Sequence, residues 1–299
     1  MTELISNNKN IRSLRKFFLL DNEGRKIKKG KIIYKNKLLH NFSSNDYLGL
    51  SQDKDLIKKS INWTKKFGVG FSSSRLVTGN IDETMQIESK LSKNKNKEGS
   101  IILGSGFQCN STLIPSLLNN TLGKRCKAVI FSDRLNHSSI YHGCYLSKQK
   151  VKRYNHLDFN HLEYLLKKEK NINLKMIISE TVFSMDGDIA DIQVLRFLAK
   201  KYNCILYFDE AHAVGIFGPR GFGLTTDKKN SLENEVVVGT CSKAFGSYGS
   251  YISCSKEIKK KIINTCAGLI YSTAIPPGII GSIDVAIDKV KCKLLVSSA

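Results

Sequence analysis

One lysine with small neighbours is the residue best suited to covalent chemistry. Lys243 lies between Ser242 and Ala244, shortly after the apolar run 236–238, whereas half of the lysines of this chain have a basic residue directly beside them. A lysine that is partly withdrawn from water has a lowered pKa, and its amine can form a Schiff base with a carbonyl group. A solvated surface lysine is the alternative interpretation, but the position at the end of an apolar run favours a chemical role.

An aspartate occupies the equivalent place after another apolar run. Asp209 follows the run 205–208, and a carboxylate at the end of a buried strand is costly unless it meets a cation. The protonated ring nitrogen of pyridoxal 5′-phosphate is such a cation. The alternative, a helix N-cap, is less favoured because 211–215 has the composition of a loop. Lys243 and Asp209 therefore indicate a pyridoxal-phosphate site, with His212 in reach of the cofactor's phenolic oxygen.

Five short apolar runs must position these side chains. Between several of them the spacing is helical, most clearly over 191–202, and Asp82 is predicted to cap another helix. Apolar strands that alternate with helices predict an α/β fold, a mostly parallel sheet with helices on both faces. Ligands of such sheets bind at the carboxyl ends of the strands. The predicted strands are 100–103, 128–131, 176–178, 205–208 and 236–238.

Three of these runs bring further candidates to the same edge. Gly106 and Phe107 begin a predicted helix, whose first N–H groups can bind phosphate. His137 follows the second run and can stack on a cofactor ring, although a structural histidine is the commoner case. Ser184 follows the third run. We expect all of these side chains to lie near Lys243.

The order of the motifs resembles that of a known family. Seven stretches in collinear order are similar to those of the α-oxoamine synthases, pyridoxal-phosphate enzymes of fold type I that condense an amino acid with an acyl thioester. They are NDYLG at 45–49, SRLVTGN at 74–80, LNHSS at 135–139, VFSMDGD at 182–188, DEAHAVG at 209–215, TCSKAFG at 240–246 and IYSTAIPP at 270–277.

The resemblance implies a role for each matching residue. Lys243 would hold the cofactor as a Schiff base and act as a catalytic base, and Asp209 would pair with the pyridine nitrogen. His137 would stack on the ring and hydrogen-bond the substrate. The remaining implied contacts are to the ring oxygen (His212, Ser184), to the phosphate (Thr240), to the cofactor from the helix start (Gly106, Phe107) and to the acyl substrate (Arg15).

Within the family, the motifs are most similar to members that join L-alanine to a pimeloyl thioester, carried by coenzyme A or a carrier protein. Decarboxylation then gives 8-amino-7-oxononanoate in biotin biosynthesis. Three alternatives of the same chemistry stay open, of the glycine C-acetyltransferase, 5-aminolevulinate synthase and serine palmitoyltransferase types. A non-catalytic subunit is a further alternative, against which the presence of Lys243 argues. By analogy with the family, we expect a homodimer.

The resemblance also implies a domain organisation. We expect an amino-terminal arm with short strands over 1–50, a cofactor-binding domain over 51–285 and the remnant of a small carboxyl-terminal domain over 286–299. In the family that last domain supplies an arginine for the substrate carboxylate, and 286–299 contain none. We therefore expect this chain to bind the cofactor but to have little or no synthase activity.

Composition limits the other classes of function. The 299 residues carry a formal net charge of +21, and so basic a chain is typical of proteins that bind nucleic acid. Lysine outnumbers arginine, however, so we interpret the charge as compositional drift and expect no nucleic-acid or membrane partner. The eight cysteines form no C-x-x-C pair, which predicts reduced thiols and no metal site. Without a secretory signal or a long apolar stretch, the sequence predicts a cytoplasmic protein.

Overall fold

A computed structural model describes residues 13–21, 23–118, 127–227 and 231–296, with side chains up to residue 291. The chain divides into two compact units, one that ends at Ser44 and one that begins at Asn45. The first unit contains an antiparallel hairpin of β1 (Lys31–Tyr34) and β2 (Lys37–His40). The hairpin confirms the short strands predicted there, whereas the predicted domain boundaries stay predictions.

The larger unit is built on a seven-stranded mixed sheet. Its strand order is β3-β9-β8-β7-β6-β4-β5, and the pairings from β8 to β5 are parallel, while β9 runs antiparallel to both of its neighbours. The strands are β3 (Gly99–Leu103), β4 (Ala128–Asp133), β5 (Lys150–Tyr154), β6 (Leu174–Glu180), β7 (Cys204–Asp209), β8 (Glu235–Thr240) and β9 (Ser250–Cys254).

Helices cover both faces of this sheet. Apolar side chains of α3, α4 and α7 pack on one face, and those of α5 and α6 pack on the other. A third apolar cluster joins α1, α2 and α9. The helices are α1 (Lys54–Phe67), α2 (Asp82–Asn94), α3 (Gly106–Leu118), α4 (Ser138–Ser147), α5 (Phe159–Lys168), α6 (Ile192–Lys201), α7 (Lys256–Thr265), α8 (Ala267–Ile270) and α9 (Pro277–Val296).

The predicted α/β fold is confirmed, with two local corrections. The run 100–103 is a buried strand, but its pairing with β9 is antiparallel. Asp82 is the first residue of α2 rather than its cap; its carboxylate accepts a hydrogen bond from Gln86 at 2.6 Å. The helix predicted over 191–202 is α6, and the Asp191 carboxylate caps it by accepting from the N–H groups of Gln193 and Val194.

Strand order determines where a ligand can enter. After β4 the chain forms β5, an edge strand on one side of β4. It then crosses to the other side of β4 to form β6, and β7 and β8 follow beyond β6 on that side. Such a reversal opens a crevice at the carboxyl ends of the strands. Asp133, Glu180, Asp209 and Thr240 are the last residues of β4, β6, β7 and β8. The sheet therefore brings four polar residues from distant parts of the sequence to one edge.

A buried ion pair lies directly behind this edge. Glu210, the residue after β7, is fully buried, and its carboxylate accepts a hydrogen bond from the equally buried Lys95 ammonium. The Lys95 ammonium also donates to the Phe222 carbonyl at 2.5 Å, and Thr225 donates its backbone N–H to Glu210 at 2.9 Å. This network ties the end of α2 to the segment that follows Asp209.

The cysteines and the helix lengths bear on two further expectations. Six thiols within the described part of the chain are free and buried, which confirms reduced cysteines there; Cys126 and the Cys292 side chain lie outside it. Among the described helices, none is at once long and apolar enough to cross a bilayer.

Candidate active site

A cavity of about 200 Å³ lies at the carboxyl edge of the sheet. The strands contribute Glu180, Asp209 and residues 238–240, and the turns and helices that follow contribute the rest. Seven of the predicted site residues line it: Gly106, Phe107, His137, Asp209, His212, Thr240 and Lys243. A larger concavity of about 940 Å³ is lined by residues such as Lys93, Lys97 and Glu257, none of them predicted for the site.

Lys243 is held by a histidine inside this cavity. Its Nζ lies 2.7 Å from Nε2 of His212, and Nδ1 of His212 lies 2.6 Å from the hydroxyl of Tyr47. Burial lowers the pKa of Lys243, against the opposing charge of Asp209. Burial and the charge of Lys243 lower the pKa of His212 to about 4. The imidazole is therefore neutral at pH 7, and its Nε2 can accept a hydrogen bond from the Lys243 amine.

Two amide groups orient the carboxylate of Asp209. Its Oδ2 accepts a hydrogen bond from the Asn110 side chain at 2.8 Å, and its Oδ1 accepts from the Ala211 N–H at 2.9 Å. Asn110 is itself fixed, because its Oδ1 accepts from the Tyr207 hydroxyl at 2.5 Å and its amide also donates to the Ser139 hydroxyl at 2.9 Å. The carboxylate is thus presented to the cavity in one orientation.

His137 caps the start of helix α4, and Glu180 holds its backbone N–H. The Glu180 carboxylate accepts from the His137 backbone N–H at 2.6 Å, and the His137 ring contacts the Ser139 hydroxyl at 2.8 Å. Glu180 and Asp209 are direct neighbours in the β6–β7 register. Burial and the negative charge of Asp209 raise the pKa of Glu180 to about 8. Glu180 therefore carries a proton at neutral pH and limits the negative charge of the cavity.

The raised pKa of Glu180 predicts a specific pH dependence of stability. The folded chain keeps a proton that the unfolded chain releases above the ordinary pKa of 4.5, so the free energy of unfolding falls as the pH rises from 4.5 to about 8. We expect Glu180→Gln, which cannot ionise but can still accept from His137, to gain stability relative to the wild type across this window. The gain should reach a few kcal/mol at most, at about 1.36 kcal/mol per pKa unit. Urea titrations at several pH values measure it.

Glu163→Gln is the matched control for Glu180→Gln. The Lys201 ammonium and the Tyr202 hydroxyl, by hydrogen bonds, lower the pKa of the partly exposed Glu163 to about 2, so this residue does not titrate in the folded chain between pH 4.5 and 8. A constant stability difference across the window is expected for the control. The same constant difference for Glu180→Gln would contradict a raised pKa.

Hydroxyl and backbone groups form a second part of the cavity. Gly106 and Phe107 begin α3, where the first N–H groups of a helix have no acceptor within the helix. Both residues line the cavity, and a Cβ at Gly106 would meet open space. The Thr240 hydroxyl lies 3.0 Å from the Gly249 carbonyl and accepts from the Ser242 N–H at 3.1 Å. It therefore closes the turn that carries Lys243.

Two predicted residues are not among the cavity-lining residues. Ser184 is exposed on the turn after β6, and its contact with a cofactor ring stays a prediction. Arg15 is exposed and belongs to the amino-terminal unit, so its role toward an acyl substrate also stays a prediction.

Several site residues carry no role in the sequence analysis. Asn110 lies inside α3 and reaches Asp209 only through long-range packing. Ser139 lies in the first turn of α4, where its hydroxyl contacts the ring of His137 and the amide of Asn110. Glu180 follows the apolar run 176–178, and this position could have indicated that it belongs to the site. Tyr47 belongs to the NDYLG motif, but the motif alone does not pair it with His212.

The chemistry of these groups fits pyridoxal phosphate. A buried carboxylate suits a cationic ring nitrogen, an amine of lowered pKa suits an aldehyde, and a helix start suits a phosphate. The cavity contains one of each, in Asp209, Lys243 and the Gly106–Phe107 turn. Among the described residues, no group of three His, Cys, Asp or Glu side chains is arranged to hold a metal ion.

Comparisons with known proteins agree with this geometry. The family described as aminotransferase class I and II matches residues 38–292. The 8-amino-7-oxononanoate synthase of Gluconacetobacter diazotrophicus is 44% identical over 254 residues, which cover 84% of this chain and 63% of that protein. The chain thus spans less than two thirds of the length of this relative.

Solved structures show the same architecture. A structure of SPT with a PLP internal aldimine superposes with a TM-score of 0.82 at 26% identity, covering 90% of this chain and 66% of that one. The 8-amino-7-oxononanoate synthase of Francisella tularensis gives 0.70 at 29% identity, with coverages of 84% and 68%. The fold is fold type I of the pyridoxal-phosphate-dependent transferases. The chain belongs to the aminotransferase class I and II family, and within it to the α-oxoamine synthases.

Proposed function

We propose that this chain binds pyridoxal 5′-phosphate and serves the condensation of L-alanine with a pimeloyl thioester. The reaction would join the Cα of alanine to the acyl carbon, with release of the Cα proton to the departing thiol. CO₂ would then leave and a proton would take its place on Cα, to give 8-amino-7-oxononanoate. The observation that carries the proposal is the meeting of Lys243 and Asp209 in one cavity. The names of the relatives support the choice of substrates.

Each part of the cavity has a task in this reaction. When bound, the cofactor supplies an electron sink for the carbanion at the amino-acid Cα. Asp209, oriented by Asn110, would hold the ring nitrogen in its cationic form. The Gly106–Phe107 helix start would bind the phosphate, and His137 would lie against the ring.

Lys243 is the group that can hold and move the proton. Its lowered pKa leaves a larger fraction of neutral amine than an exposed lysine has. His212, whose Nε2 lies 2.7 Å away, would hold Nζ in place, and Tyr47 contacts the other ring nitrogen of His212. We propose that this chain of hydrogen bonds sets the position of the catalytic amine.

A titration with amino acids tests the substrate. We expect L-alanine to change the visible absorbance of the cofactor-loaded chain at lower concentration than glycine or L-serine does. A thiol-release assay with pimeloyl thioesters of coenzyme A and of carrier protein then tests the acyl donor. A preference for glycine or L-serine would favour the alternative synthase types. Cofactor attachment without thiol release from either thioester would contradict the proposed condensation.

We also propose that the functional unit is a homodimer, because fold-type-I sites are commonly formed between two copies. Light scattering of the purified chain tests this point. The expectation of no nucleic-acid partner is tested alongside by retention on DNA at several salt concentrations, which should not show a steep salt dependence.

A further inference from the structure

A histidine outside the cavity is held between two carboxylates. Nδ1 of His156 lies 2.9 Å from Oδ1 of Asp133, and its Nε2 lies 3.1 Å from Oδ2 of Asp188. Carboxylates accept hydrogen bonds, so both ring nitrogens must donate, which only the imidazolium can do. We propose that His156 is a positioning residue of the site, an imidazolium that ties the turn 183–188 to the end of β4. The role in catalysis rests on the proposed function.

Asp133 fixes one side of this contact. Its carboxylate is fully buried and also accepts from the N–H groups of Leu135 at 2.9 Å and Leu157 at 3.0 Å. Asn136 donates its backbone N–H to the Asp133 carbonyl at 3.2 Å. The residue after Asn136 is His137, which lines the cavity. Asp133 therefore anchors the turn that leads into the site.

Asp188 closes the turn on the other side. The Phe183 N–H donates to the Asp188 carbonyl at 2.9 Å, and the Phe183 ring meets the His156 ring edge to face at a centroid distance of 4.5 Å. This turn carries Ser184 and follows Thr181, whose N–H donates to the Asp209 carbonyl at 2.9 Å. A displacement of the turn would therefore reach both a predicted cofactor contact and the strand end that carries Asp209.

The charge of His156 depends on its two partners. Asp133 from β4 and Asp188 from the turn are the charged groups that face its ring among the described residues, and Phe183 packs on it without charge. Burial opposes the charged form, but the hydrogen bonds and charges of the two carboxylates outweigh burial and raise the pKa of His156. The stabilisation is thus complete below the ordinary pKa of 6.5 and is lost as the pH rises through the higher folded value.

Asp188→Asn tests the clamp without burying an unpaired charge. Asp188 is half-exposed, whereas removal of His156 would leave the buried Asp133 without its cation. We expect the variant to lower the pKa of His156 in an NMR titration. We also expect faster hydrogen exchange of a peptide covering 182–189 by about two- to fivefold at about pH 6, since a half-exposed pair contributes modestly. The difference should vanish above the folded pKa.

Asp186→Asn is the matched control, because it removes the same charge from an exposed position on the same turn. We expect exchange and the His156 titration to match the wild type. Equal exchange in the Asp188→Asn and Asp186→Asn variants, or an unchanged His156 pKa in Asp188→Asn, would overturn the proposal.

A third measurement connects the clamp to the site. The dissociation constant of pyridoxal phosphate should rise by about two- to fivefold in Asp188→Asn at about pH 6 and not in the control. An unchanged constant with altered exchange would overturn the positioning role. Exchange and NMR are measured on the chain alone, so failure of the proposed function, seen as no cofactor binding by the wild type, is distinguishable from failure of the clamp.

Discussion

Replacing Lys243 by alanine is expected to abolish covalent attachment of pyridoxal phosphate. Among the residues that line the cavity, no amine then remains beside His212. The proton transfer assigned to Lys243 is also lost, and a general acid or base typically contributes about 10²–10⁴-fold to the rate. Borohydride reduction followed by peptide mass analysis measures attachment, and the wild type should carry the label on the peptide that contains Lys243. Where the wild type turns over, thiol release should fall by at least this factor.

Two further variants make the Lys243 result specific. Lys243→Arg keeps a positive charge near Asp209 and Glu180, but a guanidinium stays protonated and does not form a Schiff base. It should lose the label as completely as Lys243→Ala does. Lys200→Ala, at an exposed position of α6, should retain it. A label that persists in Lys243→Ala would place the attachment on another lysine and refute the assignment.

Replacing Lys95 by methionine is expected to cost about 3–5 kcal/mol of unfolding free energy. Methionine fills a similar volume, but it leaves the fully buried Glu210 carboxylate without a cation, and breaking a buried pair on one side carries a cost of this size. Urea denaturation monitored by circular dichroism measures the change. Because Glu210 follows Asp209 directly, a loss of order here should also weaken cofactor binding.

The control for Lys95→Met is the same substitution at a surface pair. Lys201 contacts Glu163 at 2.7 Å with both side chains partly exposed, and such pairs contribute little. The double variant Lys95→Met with Glu210→Gln removes the unpaired charge but keeps an acceptor for the Thr225 N–H. We expect it to recover most of the unfolding free energy that Lys95→Met loses. If Lys95→Met costs no more than Lys201→Met, the pair does not stabilise the fold as argued.

The sequence was sufficient to predict the residues that follow buried strands. Lys243, Asp209 and His137 each come after an apolar run, and parallel strands bring such positions to one edge. The same reasoning missed β5, because an edge strand with three basic residues shows no apolar run. It also missed the antiparallel pairing of β3, since strand direction depends on which strand lies beside it.

Side-chain partners were the part that the sequence could not predict. Asn110 lies 99 positions from Asp209, and only the packing of α3 against the sheet brings the amide to the carboxylate. A buried asparagine in a helix has many other uses, so its type alone does not assign it. Ser184 shows the reverse case. The motif match predicts a contact with the cofactor ring, but Ser184 lies on an exposed turn and its side chain does not line the cavity.

The connection between β8 and β9 bears on the order in which the site assembles. The two strands are neighbours in the sheet, and the Cys241 N–H donates to the Gly249 carbonyl at 2.8 Å across the base of the loop that carries Lys243. Contacts this close in sequence form early in folding, because little chain entropy is lost in closing the loop. The Asn110–Asp209 contact closes a far longer loop. We therefore expect the loop of Lys243, the proposed attachment point for the cofactor, to close before the long-range packing that brings Asn110 to Asp209.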